Sequence, residues 1–506
     1  MTSSNPLRTD FDLLIVGGGI NGAGIARDAA GRGVHTALVD QGDFGGATSS
    51  ASTKLIHGGL RYLEHYEFRL VAESLAEREV MLRLAPQLVS PLRFVMPHVP
   101  TLRPAWMIRA GLWLYDHIGG RSSLPASGGI ALHPEGFGAG LKPELKRGFV
   151  YSDTRVDDAR LVILNLRSAA DHGATLLPRM RLVAARREAG VWRATLESSS
   201  SGRQKEITAR VIVNAAGPWV GEVVERTGGE MKNARVRLVK GSHIVVPRLH
   251  AGDHAYILQN TDQRIVFVIP YLDRWSLIGT TDVSVESADT GWEISREEVR
   301  YLLEAANRYL ARPVAETDIV WSFAGIRPLY DDGTGDPAAI TRDYTLKLDD
   351  REGAVELAVF GGKLTTYRKL AETVMERLAP WLKTTRGPWT AGEVLPGGDF
   401  DPARREDELR RLRVSFQNLP AELLSSLFGR HGTLAKTLLG EAKIRADLGQ
   451  DFGGGLYRIE VDYLTKNEWA GSVEDILWRR TKTGLAMTPT ERVAFAAWFA
   501  ANTDSS

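Results

Sequence analysis

The stretch FDLLIVGGGINGAGIARDAAGRGVHTALVD, residues 11–40, decides the fold because it contains a strand, a glycine-rich turn, a helix and a second strand in order. In Gly17-x-Gly19-x-x-Gly22 the first glycine permits the tight turn and the second lets backbone approach a pyrophosphate. The third allows close packing of helix on strand. The helix start offers unpaired N–H groups to phosphates, and Asp40 is placed to accept a hydrogen bond from a ribose hydroxyl. The stretch predicts a dinucleotide-binding βαβ unit.

Composition sets the broad class of protein. A chain of 506 residues predicts two or three domains. Its hydrophobic fraction of 43% and charged fraction of 25% are typical of a soluble globular protein. The net charge of +1 gives no basic face for nucleic acid. Cysteine is absent, which excludes disulfides, thiolate catalysis, cysteinyl flavin links and cysteine-ligated iron–sulfur clusters.

Targeting signals are not evident. The first ten residues, MTSSNPLRTD, have no apolar signal core. No stretch approaches the roughly 18 uninterrupted apolar residues that a spanning helix needs. We therefore expect neither export nor membrane spanning, and contact with a membrane surface stays open.

The sheet begun by residues 11–40 resumes far along the chain. After Asp40 the sequence enters a segment rich in hydroxyls and glycines, 48–66, and then a helical pattern. An apolar strand and small-residue loop return at 207–220, and a strand, two glycines and a helix follow at 357–372, with Thr365 and Thr366 as candidate caps. A nicotinamide domain would usually be contiguous, so three separated pieces favour an FAD domain.

Several longer motifs give a resemblance to a known family. The chain resembles the FAD-dependent glycerol-3-phosphate dehydrogenases of the aerobic, quinone-linked kind, within the D-amino-acid-oxidase-like flavoproteins. The motifs that carry the resemblance are GGGINGAGIARDAAGRG, ATSSASTKLIHGGLRYLEHYEFRLV, LRPAWMIRAGLWLYDHIG, LKRGFVYSDTRVDDARLV, KGSHIVVP, QRIVFVIPY, IGTTD, GIRPL, ITRDYTL, FGGKLTTYRKLAE and VEDILWRRTKTGL. One departure is Asp40, where many such proteins carry glutamate.

The fold expected is α/β, α+β overall, with three parts. A Rossmann-like FAD-binding domain is expected from separated segments, 1–90, 150–230 and 320–386. An antiparallel-sheet substrate cap is expected from 91–149 and 231–319. Residues 387–506 are expected to form a helical C-terminal domain that braces the FAD domain or mediates association.

The resemblance also implies an activity and partners. It implies oxidation of sn-glycerol 3-phosphate to dihydroxyacetone phosphate by hydride transfer to FAD, with electrons passed to a membrane quinone. It further implies a role in glycerol metabolism and a cytoplasmic location, peripherally associated with the inner face of the cytoplasmic membrane. A homodimer is expected as one option, and no nucleic acid is expected as a partner.

Candidate site residues follow from motif positions and from chemistry. Arginine suits phosphate because its planar fork donates two parallel hydrogen bonds, and histidine suits proton transfer near neutral pH. The cofactor-binding set is Gly17, Gly18, Gly19, Gly22, Asp40, Thr48, Ser49, Ser50, Lys54, Leu55, Ala216, Gly217, Gly325, Gly362, Lys363, Leu364 and Thr365. The substrate-binding set is Arg61, Tyr62, Arg327, Arg342 and Lys363. The catalytic set is Arg327, Lys363, His57 and His243.

Alternatives remain open at this point. Arg327 or Lys363 could stabilise a developing alkoxide while water removes the proton, instead of a histidine. The enzyme could use oxygen as a glycerol-3-phosphate oxidase, oxidise amino or hydroxy acids, or be a non-catalytic FAD-binding module. A metal site is not expected, because His250-x-x-x-His254 encloses a loop-forming Ala-Gly-Asp. The segment 103–119 is either a packing helix or a shallow membrane-facing one.

Overall fold

The computed structural model describes residues 9–229, 235–331 and 343–503. The chain forms two compact units. Unit 1 comprises Met1–Ser50, Ala159–Arg237 and Pro328–Ser506, and unit 2 comprises Ala51–Asp158 and Leu238–Arg327. Each unit is therefore built from segments that are distant in sequence.

The strands of the described residues follow in chain order. They are β1 (Asp10–Val16), β2 (Thr36–Val39), β3 (Leu55–Ile56), β4 (Val89–Pro97), β5 (Gly128–Ala131), β6 (Arg147–Val156), β7 (Thr175–Leu177), β8 (Met180–Glu188), β9 (Val191–Ser198), β10 (Gln204–Asn214), β11 (Arg235–Pro247), β12 (His254–Gln259), β13 (Ile265–Tyr271), β14 (Trp275–Gly279), β15 (Val283–Val285), β16 (Trp321–Asp331), β17 (Thr345–Asp349) and β18 (Val355–Phe360).

The α-helices of the same residues also follow in chain order. They are α1 (Ile20–Gly31), α2 (Phe68–Leu84), α3 (Ala105–Ile118), α4 (Asp158–Asp171), α5 (Val220–Arg226), α6 (Arg296–Asn307), α7 (Tyr367–Leu378), α8 (Arg405–Ser415), α9 (Ala421–His431), α10 (Leu434–Leu439), α11 (Arg458–Glu468) and α12 (Pro489–Thr503). In the described part of the chain, no helix combines the length and apolarity that crossing a membrane requires.

Unit 1 contains the parallel sheet that the glycine motif predicts. Strands β18, β10, β1, β2 and β7 lie side by side in that order and run parallel. Strands β17 and β9 extend the sheet antiparallel to β18 and β10. Its central strands are apolar runs buried on both faces, as parallel strands between layers require. Because β10 pairs with both β1 and β18, strands from three distant segments of the chain lie side by side.

Unit 2 contains the sheet predicted for the cap. Its strands follow the order β15-β11-β14-β13-β12-β4-β6-β3, with β16 on β11 and β5 on β6. The pairs with a described register are antiparallel, except that β12 and β4 run parallel. Alternate residues of β13, Val266 and Val268, pack in the core together with Leu302 of α6. The predicted fold class is confirmed.

The units divide the chain differently from the predicted domain boundaries. Residues 51–90 and 150–158 were expected in the FAD domain, and the structure groups them in unit 2. The physical reason is strand pairing, since β3 and β4 both bond to β6 in the second sheet. The helical segment 387–506 falls in unit 1 rather than forming a unit of its own. The functional labels of the domains stay predictions.

The C-terminal segment is helical, as predicted. After α11, Asp475–Arg480 form a π-helical turn that is followed by a short 3₁₀ turn. Leu424, Leu427 and Leu448 belong to one buried cluster of this region. These helices therefore have a core of their own within unit 1.

Candidate cofactor and substrate sites

The glycine turn between β1 and α1 leaves no room for side chains. Gly17 has a φ of +109°, and a Cβ there would lie 2.4 Å from the carbonyl oxygen of Ala215. A Cβ on Gly22 would lie 1.9 Å from the carbonyl oxygen of Gly17. A Cβ on Gly17 would also lie 2.9 Å from the Cα of Ala216. The structure therefore places the Ala216–Gly217 loop after β10 beside the turn.

Asp40 closes the opposite side of the turn. Its Oδ2 accepts from the backbone N–H of Gly18 at 2.6 Å, and its Oδ1 accepts from that of Gly42 at 2.8 Å. Burial raises the pKa of Asp40 to about 6, and the two backbone donors act against that rise. Since each carboxylate oxygen accepts more than one hydrogen bond, Asp40 keeps capacity for a ribose hydroxyl.

Ser49 contacts the start of α1. It belongs to the 3₁₀ turn Thr48–Ser50, and its Oγ accepts from the N–H of Ile20, the first helical residue, at 2.9 Å. This bond satisfies one of the otherwise unpaired donors at the helix N-terminus. The segment after Asp40 thus returns to the glycine turn.

The loop between β18 and α7 also meets the glycine turn. Asn21 Nδ2 donates to the carbonyl oxygen of Gly361 at 3.1 Å, and a Cβ on Gly362 would lie 2.5 Å from that nitrogen. Helix α7 begins at Tyr367, and Thr366 at its N-cap makes no side-chain capping bond. Thr366 therefore takes the predicted N-cap position without the side-chain hydrogen bond that a capping residue makes.

These residues fit a dinucleotide. Gly17 to Gly22, Asp40, Thr48 to Ser50, Ala216–Gly217 and Gly362 to Thr365 all belong to unit 1, around one strand edge. Asn21 Oδ1 is buried among the described residues without a hydrogen-bond partner. Buried acceptors are normally hydrogen-bonded, so this oxygen is suited to accept a hydrogen bond from a bound ligand.

Lys54 occupies a buried ion pair in unit 2. Its Nζ lies 2.9 and 3.0 Å from the two carboxylate oxygens of Asp158, and 4.7 Å from the ring centroid of Phe323. Ser52 donates to the same carboxylate through both its N–H and its hydroxyl. The structure thus engages the Lys54 ammonium with protein groups, and its predicted cofactor contact stays a prediction.

His243 on β11 is buried beside this pair. Its Nε2 lies 3.0 Å from Thr53 Oγ1, and its ring stacks on Phe323 with centroids 4.9 Å apart. Its Nδ1 is buried without a partner in the described structure. Burial first, then the charges of Lys54 and Arg327, lower the pKa of His243 to about 3. The imidazole is therefore neutral at physiological pH.

Arg327 on β16 presents a half-exposed guanidinium in unit 2. Its side chain is 40% exposed, and its Nη2 forms an ion pair with Asp282 and donates to the carbonyl oxygen of Thr281. A Cβ on Gly241, two residues before His243, would lie 3.2 Å from the same nitrogen. Gly325 packs against Ala51, which a Cβ on the glycine would contact at 2.9 Å. The structure thereby brings Arg327, His243 and Lys54 together.

Arg61 and Tyr62 lie in the 3₁₀ turn Leu60–His65, just after His57. Both side chains are half-buried, and Arg61 Nε is buried without a hydrogen-bond partner in the described residues. The backbone N–H of Gly58 donates to Tyr115 Oη at 2.8 Å, and Tyr115 in turn donates to Asp153 at 2.7 Å. A buried network therefore fixes the segment that carries these residues.

The remaining predicted residues divide between the units. Leu55 is buried in β3 of unit 2, whereas Lys363 belongs to unit 1. Arg342 lies outside the described residues. The predicted roles of all site residues stay predictions.

Lys54, His243 and Arg327, with the side chains bonded to them, form what we call the unit 2 cluster. Three of its polar residues were not among the predicted site residues: Thr53, Asp158 and Asp282. Thr53 and Asp282 stand inside the motifs STKLIHGG and IGTTD, so their position was the available signal. Asp158, the first residue of α4, likewise stands inside the motif LKRGFVYSDTRVDDARLV.

A metal site was not expected, and the described residues contain no group of three or more His, Cys, Asp or Glu side chains suited to one. His250 lies in a loop and His254 begins β12, with ring centroids 4.6 Å apart.

The chain belongs to the family described as FAD dependent oxidoreductase, whose model matches residues 12–368. It is 53% identical to a glycerol-3-phosphate dehydrogenase of Pseudomonas aeruginosa, over 97% of this chain and 95% of that protein. It is 47% identical to a D-erythritol 1-phosphate dehydrogenase of Brucella abortus, over 96% and 97%. A solved glycerol-3-phosphate dehydrogenase from Bacillus halodurans, complexed with FAD, matches with a TM-score of 0.76 and 26% identity, over 98% and 91%. FAD is therefore the cofactor.

Proposed function

We propose that this protein oxidises sn-glycerol 3-phosphate to dihydroxyacetone phosphate and passes the electrons to a membrane quinone. The observation that carries the proposal is the unit 2 cluster, in which a half-exposed arginine, Arg327, lies beside a buried neutral imidazole, His243. A phosphorylated alcohol needs both groups: a cation for its phosphate and an acceptor for its hydroxyl proton. FAD, when bound, supplies the hydride acceptor.

Arg327 binds the phosphate in this proposal. Both of its described hydrogen bonds use Nη2, and we assign Nε and Nη1 to the anion. The ion pair with Asp282 holds the guanidinium in one orientation, and a held fork loses less freedom on binding. Arg61, Tyr62, Arg342 and Lys363 are proposed as further substrate contacts, and Lys363 also as a catalytic cation.

His243 accepts the hydroxyl proton. Its Nδ1 is buried and has no partner in the described structure. Burial first, and then the charges of Lys54 and Arg327, lower the pKa of His243. A bound phosphate dianion would offset the two charges and make the imidazole a stronger base. The base is thereby activated when the substrate is present. His57, half-buried in the Gly58 segment, is the alternative base.

Relatives point to one class of substrate and to two members of it. Both named activities act on phosphorylated polyols, glycerol 3-phosphate and D-erythritol 1-phosphate. The identity of 53% against 47% favours the three-carbon substrate. An amino-acid oxidase would bind a carboxylate instead, and an oxygen-using oxidase would differ in the acceptor.

The test is an anaerobic titration of the purified flavoprotein. Glycerol 3-phosphate should bleach the flavin absorbance near about 450 nm, and a soluble quinone analogue should restore it faster than oxygen does. D-erythritol 1-phosphate and glycine serve as comparators. Bleaching by D-erythritol 1-phosphate alone would move the assignment to that substrate. Bleaching by glycine alone would move it to the amino-acid oxidases, and faster recovery with oxygen would make the protein an oxidase.

We also propose peripheral attachment to the inner face of the cytoplasmic membrane. Support comes from exposed aromatic side chains on α3 and the segment before α2: Trp106 is 73%, Trp113 58% and Tyr66 79% exposed. Arg103, bonded to Glu64, joins the two segments. Aromatic rings beside arginines suit a headgroup region.

Attachment is tested by sedimentation with phosphatidylglycerol-containing vesicles. The Trp106→Ser, Trp113→Ser double variant should lose binding, while Val493→Ser, which alters an exposed apolar residue of α12, should retain it. Equal binding by the double variant and the wild type would exclude this surface. A homodimer remains a proposal that light scattering can decide.

A further inference from the structure

A buried carboxylate in the loop after β2 receives two arginines from the C-terminal segment. Asp43 Oδ2 accepts from Arg480 Nη1 and from Arg479 Nε, both at 2.6 Å, and its Oδ1 accepts from Arg480 Nη2 at 2.7 Å. Arg480 is 0% exposed. Arg480 and Asp43 therefore form a bidentate, buried ion pair between residues 437 positions apart. We call this ion pair, together with Arg479, the joint.

The loop held by this joint forms a wall of the glycine turn. The ring of Phe44 lies so close that a Cβ on Gly18 would meet it at 2.5 Å. Gly45 donates its N–H to the carbonyl oxygen of Gly18 at 3.0 Å. Asp40, three residues before Asp43, accepts from the N–H of Gly18. The position of 40–45 therefore determines the shape of the ribose and pyrophosphate side of the turn.

The C-terminal side of the joint is equally fixed. Arg480 also donates to the carbonyl oxygen of Glu468 at 2.8 Å, and Trp469 meets Phe44 edge to face with centroids 5.5 Å apart. Arg479 pairs with Asp475. Movement of 468–480 would therefore move the loop.

Charge adds a second reason for the joint. An unpaired carboxylate at Asp43 would stand near Asp40, whose ionisation it already opposes. It would also repel the pyrophosphate of a bound dinucleotide. The two arginines on Asp43 offset that charge.

We propose that the C-terminal segment 468–480 sets FAD affinity, with Arg480 as the positioning residue that acts through Asp43 on the loop 40–45. This inference rests on the proposed function, in which FAD is the hydride acceptor, and on the fit of the glycine turn to that dinucleotide. It gives the C-terminal helices a task in cofactor retention.

The experiment measures FAD binding to apo-protein, which requires no substrate and so stands apart from the test of the activity. Arg480→Gln and Arg480→Lys should each raise the dissociation constant of FAD by about tenfold or more. The dissociation constant of ADP, measured by competition with FAD, should rise in the same way. The matched control is Arg430→Gln, which breaks the buried Arg430–Glu460 pair of the same helical region. That control should lower thermal stability while leaving the dissociation constant unchanged.

Asp43→Asn combined with Arg480→Gln separates the two causes. If the double variant binds FAD as tightly as the wild type, the loss in Arg480→Gln comes from the unpaired charge of Asp43. If its affinity stays low, the loss comes from the missing pair of hydrogen bonds that the Arg480 guanidinium makes. Should Arg480→Gln fail to fold, the half-buried Arg479→Gln carries the same prediction. Wild-type FAD affinity in folded Arg480 and Arg479 variants would overturn the inference, as would an equal loss in Arg430→Gln.

Discussion

His243 Nε2 lies 3.0 Å from Thr53 Oγ1, and this contact fixes which nitrogen of the imidazole faces the rest of the unit 2 cluster. A hydroxyl can accept from a protonated Nε2, which leaves Nδ1 with its lone pair. Nδ1 is the buried atom without a partner in the described structure. Thr53 thus orients the base that the proposed function requires.

Replacing His243 should remove the base without removing the cofactor. His243→Gln should lower kcat by about 10²- to 10⁴-fold, the usual range for general-base catalysis, while FAD stays bound. Thr53→Val should cause a smaller loss, and Thr53→Ser, which keeps the hydroxyl, should be near wild type. Steady-state rates and flavin absorbance measure both properties. Wild-type kcat in His243→Gln would exclude His243 and leave His57 or water.

His243 should stay neutral across the physiological pH range in the substrate-free protein. Its folded pKa of about 3 lies below the unfolded value of 6.5. The stability that it contributes is therefore present above pH 6.5 and is lost as pH falls through about 3. Nitrogen chemical shifts of labelled histidine, assigned with the His243→Gln variant, should show no titration between pH 5 and 8. A midpoint near 6.5 would contradict the burial.

Arg327 should determine substrate affinity and turnover together. Arg327→Ala should reduce kcat/KM by about 10²-fold or more, because it removes the phosphate ligand and leaves Asp282 as an unpaired repelling charge. Added guanidinium should restore part of the activity. Asp282→Asn should have a smaller effect, since the fork remains. Loss of FAD in Arg327→Ala would instead make the residue structural.

The sequence predicted best those features that depend on local chemistry. The strand, turn, helix and strand at 11–40 follow from a short motif whose backbone geometry is set by a few glycines. The joints of Asp43 with Arg480 and of Lys54 with Asp158 could not be predicted, because each pairs residues more than 100 positions apart. Arg480 stands in the motif VEDILWRRTKTGL, but a motif does not show which distant carboxylate its guanidinium pairs with.

The glycine turn should tolerate no side chain. Gly22→Ala would place a Cβ 1.9 Å from the carbonyl oxygen of Gly17, so we expect loss of FAD and of stability. The matched control is Gly221→Ala on α5 of the same unit, where no atom lies within 4 Å of the new Cβ. It should stabilise the protein by up to about 1 kcal/mol. Full FAD content in Gly22→Ala would contradict the close packing of the turn.

Acid should destabilise the C-terminal helices through Glu460. Arg430 and then His431, both bonded to this buried carboxylate, offset the effect of burial and lower its pKa to about 2. A depressed carboxylate pKa contributes stability above the unfolded value of 4.5, and that stability is lost as pH falls through about 2. Glu460→Gln should therefore be less stable at pH 7 and should show a flatter loss between pH 4.5 and 2. Thermal unfolding over this range measures both effects. If Glu460→Gln lost stability between pH 4.5 and 2 as steeply as the wild type, other carboxylates would cause that loss.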